Sequence, residues 1–258
     1  MKKIAIITGA SSGIGKEFAL TVTNHRQYDE IWAIARDEKR LAALAEQISV
    51  PVKPISLDLS HAKSYDKLAE LLDEEKPVIS TLINCAGYGI FDSVANTSFE
   101  NNIGMIDLNC RALTAVTLKC LPYTEQGSEI INIASVAAFQ PIPYIDIYGA
   151  TKAYVLSFSR ALNRELKSRG VRIFAVCPFW TKTAFFERAV QKDKNVVVKK
   201  YAAMYEPSYI ASYAWKKIEK TRRDYCIPGF IAKMQVLLVK ILPHSAIMSI
   251  WQSQQKLK

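Results

Sequence analysis

The sequence has few of the residues that build disulfide frameworks or metal sites. Its 258 residues include five cysteines and three histidines, and the cysteines never form a Cys-x-x-Cys pair. An odd number of widely spaced cysteines disfavours a disulfide scaffold, and the scattered histidines form no metal-binding cluster. We therefore expect a reducing compartment, the cytoplasm, and no bound metal.

Long apolar stretches are also missing. No uncharged apolar run reaches the roughly 18 residues that a membrane-spanning helix needs. The first apolar run follows Lys3 and stops at Thr8, which is short for a signal-peptide core of about 7–15 residues. It predicts a buried first strand instead. Because internal repeats and Gly/Ser linkers are absent as well, we expect one domain.

Acidic residues are scarce in the second part of the chain. Residues 1–150 carry a net charge of −5, residues 151–258 carry +15, and residues 194–258 alone carry +9. This excess indicates either an anionic contact or a solvated basic surface. No nucleic-acid-binding motif accompanies the charge, so we predict no nucleic-acid partner.

What the sequence does contain is an alternation of short apolar runs and amphipathic helical patterns. The predicted strands are Lys3–Thr8, Ile31–Ala35, Val52–Leu57, Ile79–Asn84, Ile130–Ala134 and Val171–Cys177. The predicted helices lie near residues 14–25, 38–48, 62–75, 99–121 and 150–168. Uninterrupted apolar strands are typical of parallel sheets covered on both faces. The pattern predicts an α/β doubly wound parallel sheet, with its ligand beyond the carboxyl ends of the strands.

A glycine-rich turn joins the first strand to the first helix. Glycines permit the close approach of backbone to a phosphate, and the helix N-terminus offers free N–H groups to it. A tight turn without a ligand is the alternative. We predict phosphate binding by the turn, whose candidate residues are Gly9, Ser11, Ser12, Gly13, Ile14 and Gly15.

Further motifs follow the later strands in order. They are Asp58-Leu59, Asn84-Cys85-Ala86-Gly87, Asn109, Ser135, Tyr148 with Lys152, and Pro178 to Thr183. Together with the glycine turn, they resemble the short-chain dehydrogenase/reductase family over residues 3 to about 221. The resemblance implies a Rossmann-like fold and a nicotinamide dinucleotide cofactor. It also implies cofactor contacts from Asp58, Leu59, Asn84, Ala86, Gly87, Tyr148, Lys152, Pro178, Thr181 and Thr183.

Tyr148 and Lys152 are four positions apart, which places them on one face of a helix. A nearby ammonium favours the phenolate, so we expect a lowered tyrosine pKa and a role for Tyr148 as general acid or base. A hydroxyl at Ser135 could stabilise a developing oxyanion. The resemblance implies further that Lys152 holds the nicotinamide ribose and that Asn109 anchors a water-linked proton relay. An ordinary amphipathic helix face is the alternative for Tyr148 and Lys152 alone.

The end of the second strand indicates which cofactor is bound. Ala35 occupies the place where relatives that use NAD carry an acidic residue, and Arg36 follows it. A guanidinium matches the geometry of a 2′-phosphate. The sequence therefore favours NADP(H) over NAD(H), although Asp37 could pair with Arg36 or cap the next helix.

On the substrate side the chain departs from the family pattern. Phe179 replaces the glycine after Pro178, and we predict that Ser135, Tyr148, Phe179 and Phe185 line the substrate pocket. Residues 184–206 are the expected lid. Its apolar residues indicate a lipophilic substrate, steroid-like or oxoacyl, and its bases could meet an acid group on that substrate. The bases are Arg188, Lys192, Lys194, Lys199 and Lys200.

Residues 225–258 form an apolar tail with four lysines and no acidic residue. Helical spacing broken at Pro243 predicts two helices. They could lie on an anionic membrane surface or cap the cleft or a dimer partner, and we favour the cap. We expect a homodimer with an oxidoreductase domain at residues 1–224 and this tail as an extension. The alternatives are an NADP(H)-binding sensor and a peripheral membrane or partner-binding protein.

Overall fold

The computed structural model describes residues 1–190 and 197–257. Its centre is a parallel sheet of seven strands in the order β3-β2-β1-β4-β5-β6-β7. The strands are β1 (Lys3–Thr8), β2 (Glu30–Ala35), β3 (Val52–Ser56), β4 (Val78–Asn84), β5 (Glu129–Ile133), β6 (Arg172–Val176) and β7 (Tyr225–Cys226). This arrangement confirms the doubly wound parallel sheet, because the order of the strands reverses direction at β1.

Ten α-helices accompany the sheet in the described part of the chain. They are α1 (Gly13–Thr21), α2 (Glu38–Ala45), α3 (Lys63–Glu75), α4 (Phe99–Ile106), α5 (Leu113–Cys120), α6 (Asp146–Glu165), α7 (Ala184–Val190), α8 (Pro207–Lys220), α9 (Phe230–Ile241) and α10 (His244–Gln255). A π-helical segment, Asp107–Ala112, joins α4 to α5, so the helix expected near residues 99–121 is continuous but locally widened. None of the helices in the described ranges is both long and apolar enough to cross a membrane.

Two apolar layers cover the two faces of the sheet. Alternate side chains of β1 point to opposite faces, so Ile4 and Ile6 pack in one layer and Ala5 and Ile7 in the other. The first layer includes residues of α3 and α5, and the second includes residues of α1 and α8. Burial on both sides is why the strand sequences are continuously apolar.

Sequence reasoning missed β7 and α8. The two residues of β7 are too short for a pattern, and their pairing with Ala175 and Val176 is visible only in three dimensions. For α8 a signal existed, because its buried residues recur at helical spacing. They are Ile210, Ala211, Ala214, Trp215 and Ile218. The tail helices α9 and α10 lie on either side of Pro243, as expected.

Candidate active site

A cleft of about 1140 Å³ opens beyond the carboxyl ends of the strands. Segments that follow β1, β2, β4, β5 and β6 converge on it, because parallel strands all end at the same edge of the sheet. Most predicted site residues line it. They are Gly9, Ser11, Ser12, Gly13, Ile14, Arg36, Asp58, Leu59, Ala86, Gly87, Ser135, Tyr148, Lys152, Pro178, Phe179, Thr181, Thr183 and Phe185.

The glycine turn is held tightly against its surroundings. Gly9 has a positive φ of 68°, and a Cβ on Gly15 would collide with the carbonyl oxygen of Gly9. Thr8 fixes the adjoining loop, since its Oγ1 accepts hydrogen bonds from the backbone N–H groups of Cys85 (3.0 Å) and Ala86 (3.1 Å). Helix α1 begins at Gly13, so its N-terminal N–H groups border the cleft as a phosphate-binding turn requires.

Three predicted residues lie behind the cleft lining rather than in it. Gly15 packs beneath the turn, and Asn109 lies beneath Gly87. Asn84 donates hydrogen bonds from Nδ2 to the Thr117 hydroxyl (3.0 Å) and to Asn132 Oδ1 (2.9 Å). These bonds tie β4 to β5 and α5. The structure therefore places Asn84 where it can position the cofactor loop, not where it lines the site.

Ser135, Tyr148 and Lys152 meet in the middle of the cleft. The Ser135 hydroxyl accepts a hydrogen bond from the N–H of Ala137 (3.1 Å) and bonds with Tyr148. Tyr148 lies in the first turn of α6, with its ring centroid 5.5 Å from that of Phe185. Lys152, one turn later, is buried and donates from Nζ to the carbonyl of Ile133 (2.8 Å). The three side chains expected from the motif are thus brought together.

The protonation of the Tyr148–Lys152 pair differs from the sequence-based expectation. Burial raises the pKa of Tyr148 to about 12, and the hydrogen bond with Ser135 offsets this only in part. Burial also lowers the pKa of Lys152 to about 8. The ammonium lies 5.7 Å from the tyrosine ring centroid and bonds to a backbone carbonyl. The expected lowering of the tyrosine pKa is therefore absent, and burial favours the protonated form of Tyr148 at neutral pH.

Asn109 lies in the π-helical segment and is 1% exposed. Its Oδ1 accepts from the N–H of Tyr88 (3.0 Å), while Nδ2 donates to the Tyr88 carbonyl (2.8 Å) and to the Thr151 hydroxyl (3.0 Å). One side chain thus ties the loop after β4 to α6, next to Lys152. Such π-helical turns often occur at functional sites.

The charged side chains after β2 form two pairs, Asp37 with Arg40 and Arg36 with Asp58. Asp37 accepts a hydrogen bond from the N–H of Arg40 (3.0 Å) and pairs with its Nε at 3.2 Å, so it caps α2. Arg36 has a side chain that is 66% exposed and lies 4.0 Å from Asp58. Of the two roles expected for Asp37, the structure has the helix cap, and Arg36 is left facing the cleft. Arg40 also lines the cleft, which the sequence analysis missed.

The opposite end of the cleft is aromatic and aliphatic. Phe91, Trp180 and Phe186 pack edge to face at centroid distances of 5.6–6.0 Å. Trp251 of the tail stacks on Trp180 and donates from Nε1 to the carbonyl of Pro143 (3.0 Å). Other tail residues also line the cleft, namely Ile231, Met234, Leu238, Leu242, Ile247 and Ile250. These tail residues cap the cleft, which is one of the roles expected for the tail.

A buried amide fastens the tail to the lid. Gln255 is 2% exposed, and its Oε1 accepts from the N–H groups of Lys199 (2.8 Å) and Lys200 (3.0 Å). Its Nε2 donates to the Lys200 carbonyl (3.0 Å). Sequence analysis did not single out this residue, and only its place one turn after Trp251 could have indicated burial. The predicted lid bases Lys192 and Lys194 lie outside the described residues.

Comparisons with known proteins agree with this geometry. A family model for short chain dehydrogenases matches residues 3–194. An uncharacterized oxidoreductase of Staphylococcus epidermidis is 30% identical over 217 residues, which cover 81% of this chain and 94% of that protein.

Two solved structures are similar over almost the whole chain. A short-chain dehydrogenase from Sphingobium yanoikuyae in complex with NADPH is 31% identical with a TM-score of 0.76, and the match covers 96% of this chain and 95% of that chain. A bulky-bulky ketone specific alcohol dehydrogenase from Comamonas testosteroni is 28% identical with a TM-score of 0.72, covering 96% and 94%. The chain belongs to the short-chain dehydrogenase/reductase family of NAD(P)-dependent oxidoreductases.

Proposed function

We propose that this oxidoreductase uses NADP(H) to interconvert a ketone and a secondary alcohol on a lipophilic substrate. The observation that supports this most directly is the position of Tyr148. Its hydroxyl lies in one cleft between the glycine turn, which suits a dinucleotide, and an apolar wall, which suits a hydrophobic ketone. The four candidate catalytic residues are Asn109, Ser135, Tyr148 and Lys152.

In the reducing direction, the bound cofactor would supply a hydride to the carbonyl carbon. Tyr148 donates its proton to the carbonyl oxygen, and Ser135 hydrogen-bonds that oxygen as negative charge develops. The neutral tyrosine that burial favours is the form this step requires. Lys152 then stabilises the transient phenolate and anchors the nicotinamide ribose. Asn109 positions the Tyr88 loop and α6 and anchors the relay that returns a proton.

The preference for NADP(H) rests on the charges after β2. Ala35 offers no carboxylate to a ribose 2′-OH, and Asp37 is engaged by Arg40, which leaves Arg36 for a 2′-phosphate. The similar Sphingobium protein was solved with NADPH. In Arg36→Asp, we expect kcat/KM for NADPH to fall by about 10-fold or more, with little change for NADH. An unchanged ratio would contradict the role of Arg36.

The proposal of a lipophilic substrate is supported by the aromatic wall around Trp180 and by the tail residues that complete this wall. The similar Comamonas protein is specific for bulky-bulky ketones. Lys200 also lines the cleft, so a ketone that carries an acid group is part of the proposal. Steroid-like and oxoacyl ketones both meet this description.

A substrate panel that follows NADPH absorbance tests the proposed reaction. It includes bulky ketones with and without an acid group and small aldehydes. We expect turnover of bulky ketones, and we expect Tyr148→Phe to lose at least about 100-fold in kcat while binding NADPH normally. Tight NADPH binding without turnover across the panel would favour the sensor alternative. Full activity of Tyr148→Phe would refute the mechanism.

We further propose a homodimer through the apolar face of α4 and α5. Phe99 is 73% exposed there, and Ile103, Ile106 and Leu118 are exposed on the same helices. Burial of such a surface in a symmetric interface is favourable. Light scattering of the wild type should give a dimer and that of Ile106→Asp a monomer, and a monomeric wild type would contradict the proposal.

The outer face of α9 supports a second, weaker candidate role at a membrane surface. Phe230 and Ile241 are 74% and 71% exposed, and Lys233 and Lys240 are exposed beside them. In that case a cytoplasmic enzyme would be peripheral to the bilayer, held by residues 225–258. Co-sedimentation with vesicles of anionic lipid, lost in Phe230→Ser with Ile241→Ser, would support it. Wild type remaining in the supernatant would exclude it.

A further inference from the structure

Helix α7 reaches both ends of the cleft. Its Phe185 lies against the Tyr148 ring at a centroid distance of 5.5 Å, and its Phe186 packs on Trp180. Its Arg188 lines the cleft too, but toward Arg36 and Asp58. One short helix therefore connects the region of the cofactor's adenosine to the wall of the substrate pocket.

The guanidinium of Arg188 is held in a defined place. Its Cζ lies 3.6 Å from the ring centroid of Tyr88, an arrangement that favours a cation over an aromatic face. Tyr88 is itself fixed, because its backbone N–H and carbonyl bond to Asn109 and its hydroxyl donates to the Asn101 carbonyl (3.1 Å). Arg188 is thus presented on a rigid ring at the edge of the cleft.

Among residues 1–190 and 197–257, no carboxylate forms an ion pair with Arg188 within 4.0 Å, although the charge of Asp58 favours its cation. Burial lowers the pKa of Arg188, Tyr88 and Asp58 raise it, and the positive charge of Arg36 lowers it, so the two guanidinium groups repel each other. Asp58 balances this repulsion only in part, because its Oδ2 lies 4.0 Å from Arg36 while its Oδ1 accepts from the N–H (3.0 Å) and hydroxyl (2.7 Å) of Ser60. An anion with several acceptor oxygens between the two arginines would relieve this repulsion.

We propose that Arg188 and Arg36 together bind the 2′-phosphate of the cofactor, and that this contact holds α7 and Phe185 over the catalytic tyrosine. The inference rests on the proposed preference for NADP(H). Arg188 is then a specificity-determining residue that makes the shape of the substrate pocket depend on which cofactor is bound. NADPH orders α7, whereas NADH, with a hydroxyl at the same place, leaves Arg188 without an anion.

We call the proposed contact of Arg36 and Arg188 with the 2′-phosphate the clamp. Binding measurements with NADPH and NADH test it. For Arg188→Gln we expect Kd for NADPH to rise by about 10-fold or more and Kd for NADH to stay within about 2-fold. Arg188→Lys keeps the charge without the paired donors and should lie between Arg188→Gln and wild type. Arg222→Gln, an exposed arginine outside the cleft lining, is the matched control and should match wild type for both cofactors.

Hydrogen exchange of the peptide that spans residues 184–190 provides the second readout. In wild type, NADPH should protect these amides more than NADH does, and Arg188→Gln should remove that difference. If Arg188→Gln weakens the binding of NADPH and NADH equally, the clamp is refuted. Arg188 would then contact the pyrophosphate, which both cofactors share. If the wild type prefers NADPH but Arg188→Gln leaves both Kd values unchanged, the role of Arg188 is refuted and the cofactor preference stands. A wild type that binds both cofactors equally would instead refute the cofactor preference on which the clamp rests.

Discussion

The two ends of the cleft are built in different ways. At the cofactor end, the glycine turn and Arg36 directly follow β1 and β2, so neighbours in sequence are neighbours in the site. At the substrate end, Phe91, Trp180 and Trp251 come from a loop, a segment after β6 and the C-terminal tail. The cofactor end is therefore formed by local backbone geometry, whereas the substrate end is formed by packing between distant segments. Apart from α7, which contacts both ends, substitutions at one end should therefore leave binding at the other end unchanged.

The largest effect is expected from Gly15→Ala. The new Cβ would collide with the carbonyl oxygen of Gly9, so the turn must shift by a substantial fraction of an ångström. Misplacement on this scale can lower activity about 100-fold, and we expect a similar rise in Kd for NADPH by calorimetry. Gly127→Ala, which introduces backbone strain at a positive φ of 90° outside the cleft lining, is the control and should bind NADPH normally. Normal cofactor binding by Gly15→Ala would mean that the turn is not the phosphate site.

Lys152 lies between the two ends, and its buried ammonium should affect stability. Because folding lowers its pKa from 10.5 to about 8, the unfolded chain binds more protons between these pH values. The free energy of unfolding should therefore rise with pH in this window, by about 2 kcal/mol more than in Lys152→Met. Urea titrations of both proteins between pH 7.5 and pH 10.5 measure the difference. Parallel pH profiles would show that folding does not lower the pKa of Lys152.

At the substrate end, Gln255→Ala should loosen the lid. It leaves the N–H groups of Lys199 and Lys200 without their acceptor, which corresponds to about 1–3 kcal/mol. We expect KM for a bulky ketone to rise about 10-fold, while Kd for NADPH stays within about 2-fold. Gln252→Ala, one turn earlier on the same helix, serves as the control. Equal effects on ketone and cofactor binding would show that the lid segment held by Gln255 is coupled to the cofactor end.

The smallest effect is expected at the amino edge of the sheet, away from both ends. His25 bonds to Glu129 (2.8 Å) and Glu219 (3.1 Å). Burial lowers the pKa of His25, but the two carboxylates outweigh it and raise the pKa above 6.5. The stabilisation is therefore complete below pH 6.5 and lost as pH rises through the folded value.

A comparison of the wild type with His25→Gln measures this contribution. Thermal unfolding from pH 5.5 to pH 8.5 should show a difference of about 1 kcal/mol that disappears at the alkaline end. Cofactor and ketone binding should be the same in both proteins, since the cluster is remote from the cleft. A stability difference that grows with pH would reverse the assigned sign.

The cofactor end shows how far local patterns reach. Strand patterns and turn residues predicted the sheet, the glycine turn and the meeting of Ser135, Tyr148 and Lys152, because each depends on short segments placed at strand ends. The raised pKa of Tyr148 could not be predicted from the sequence, because burial and the bond from Lys152 to Ile133 are properties of the folded chain. For Asn84, the motif identified a candidate residue but did not indicate that its side chain bonds to Thr117 behind the cleft lining.

Because apolar periodicity and motif spacing are local properties, the sequence alone predicts the fold class and identifies the glycine turn and Tyr148 as candidates for phosphate binding and proton transfer. Long-range packing places the tail over the cleft, fastens Gln255 to the lid and brings Arg188 toward Arg36. These contacts join segments more than 50 residues apart. They depend on how helices pack around the sheet, and no local pattern records that arrangement.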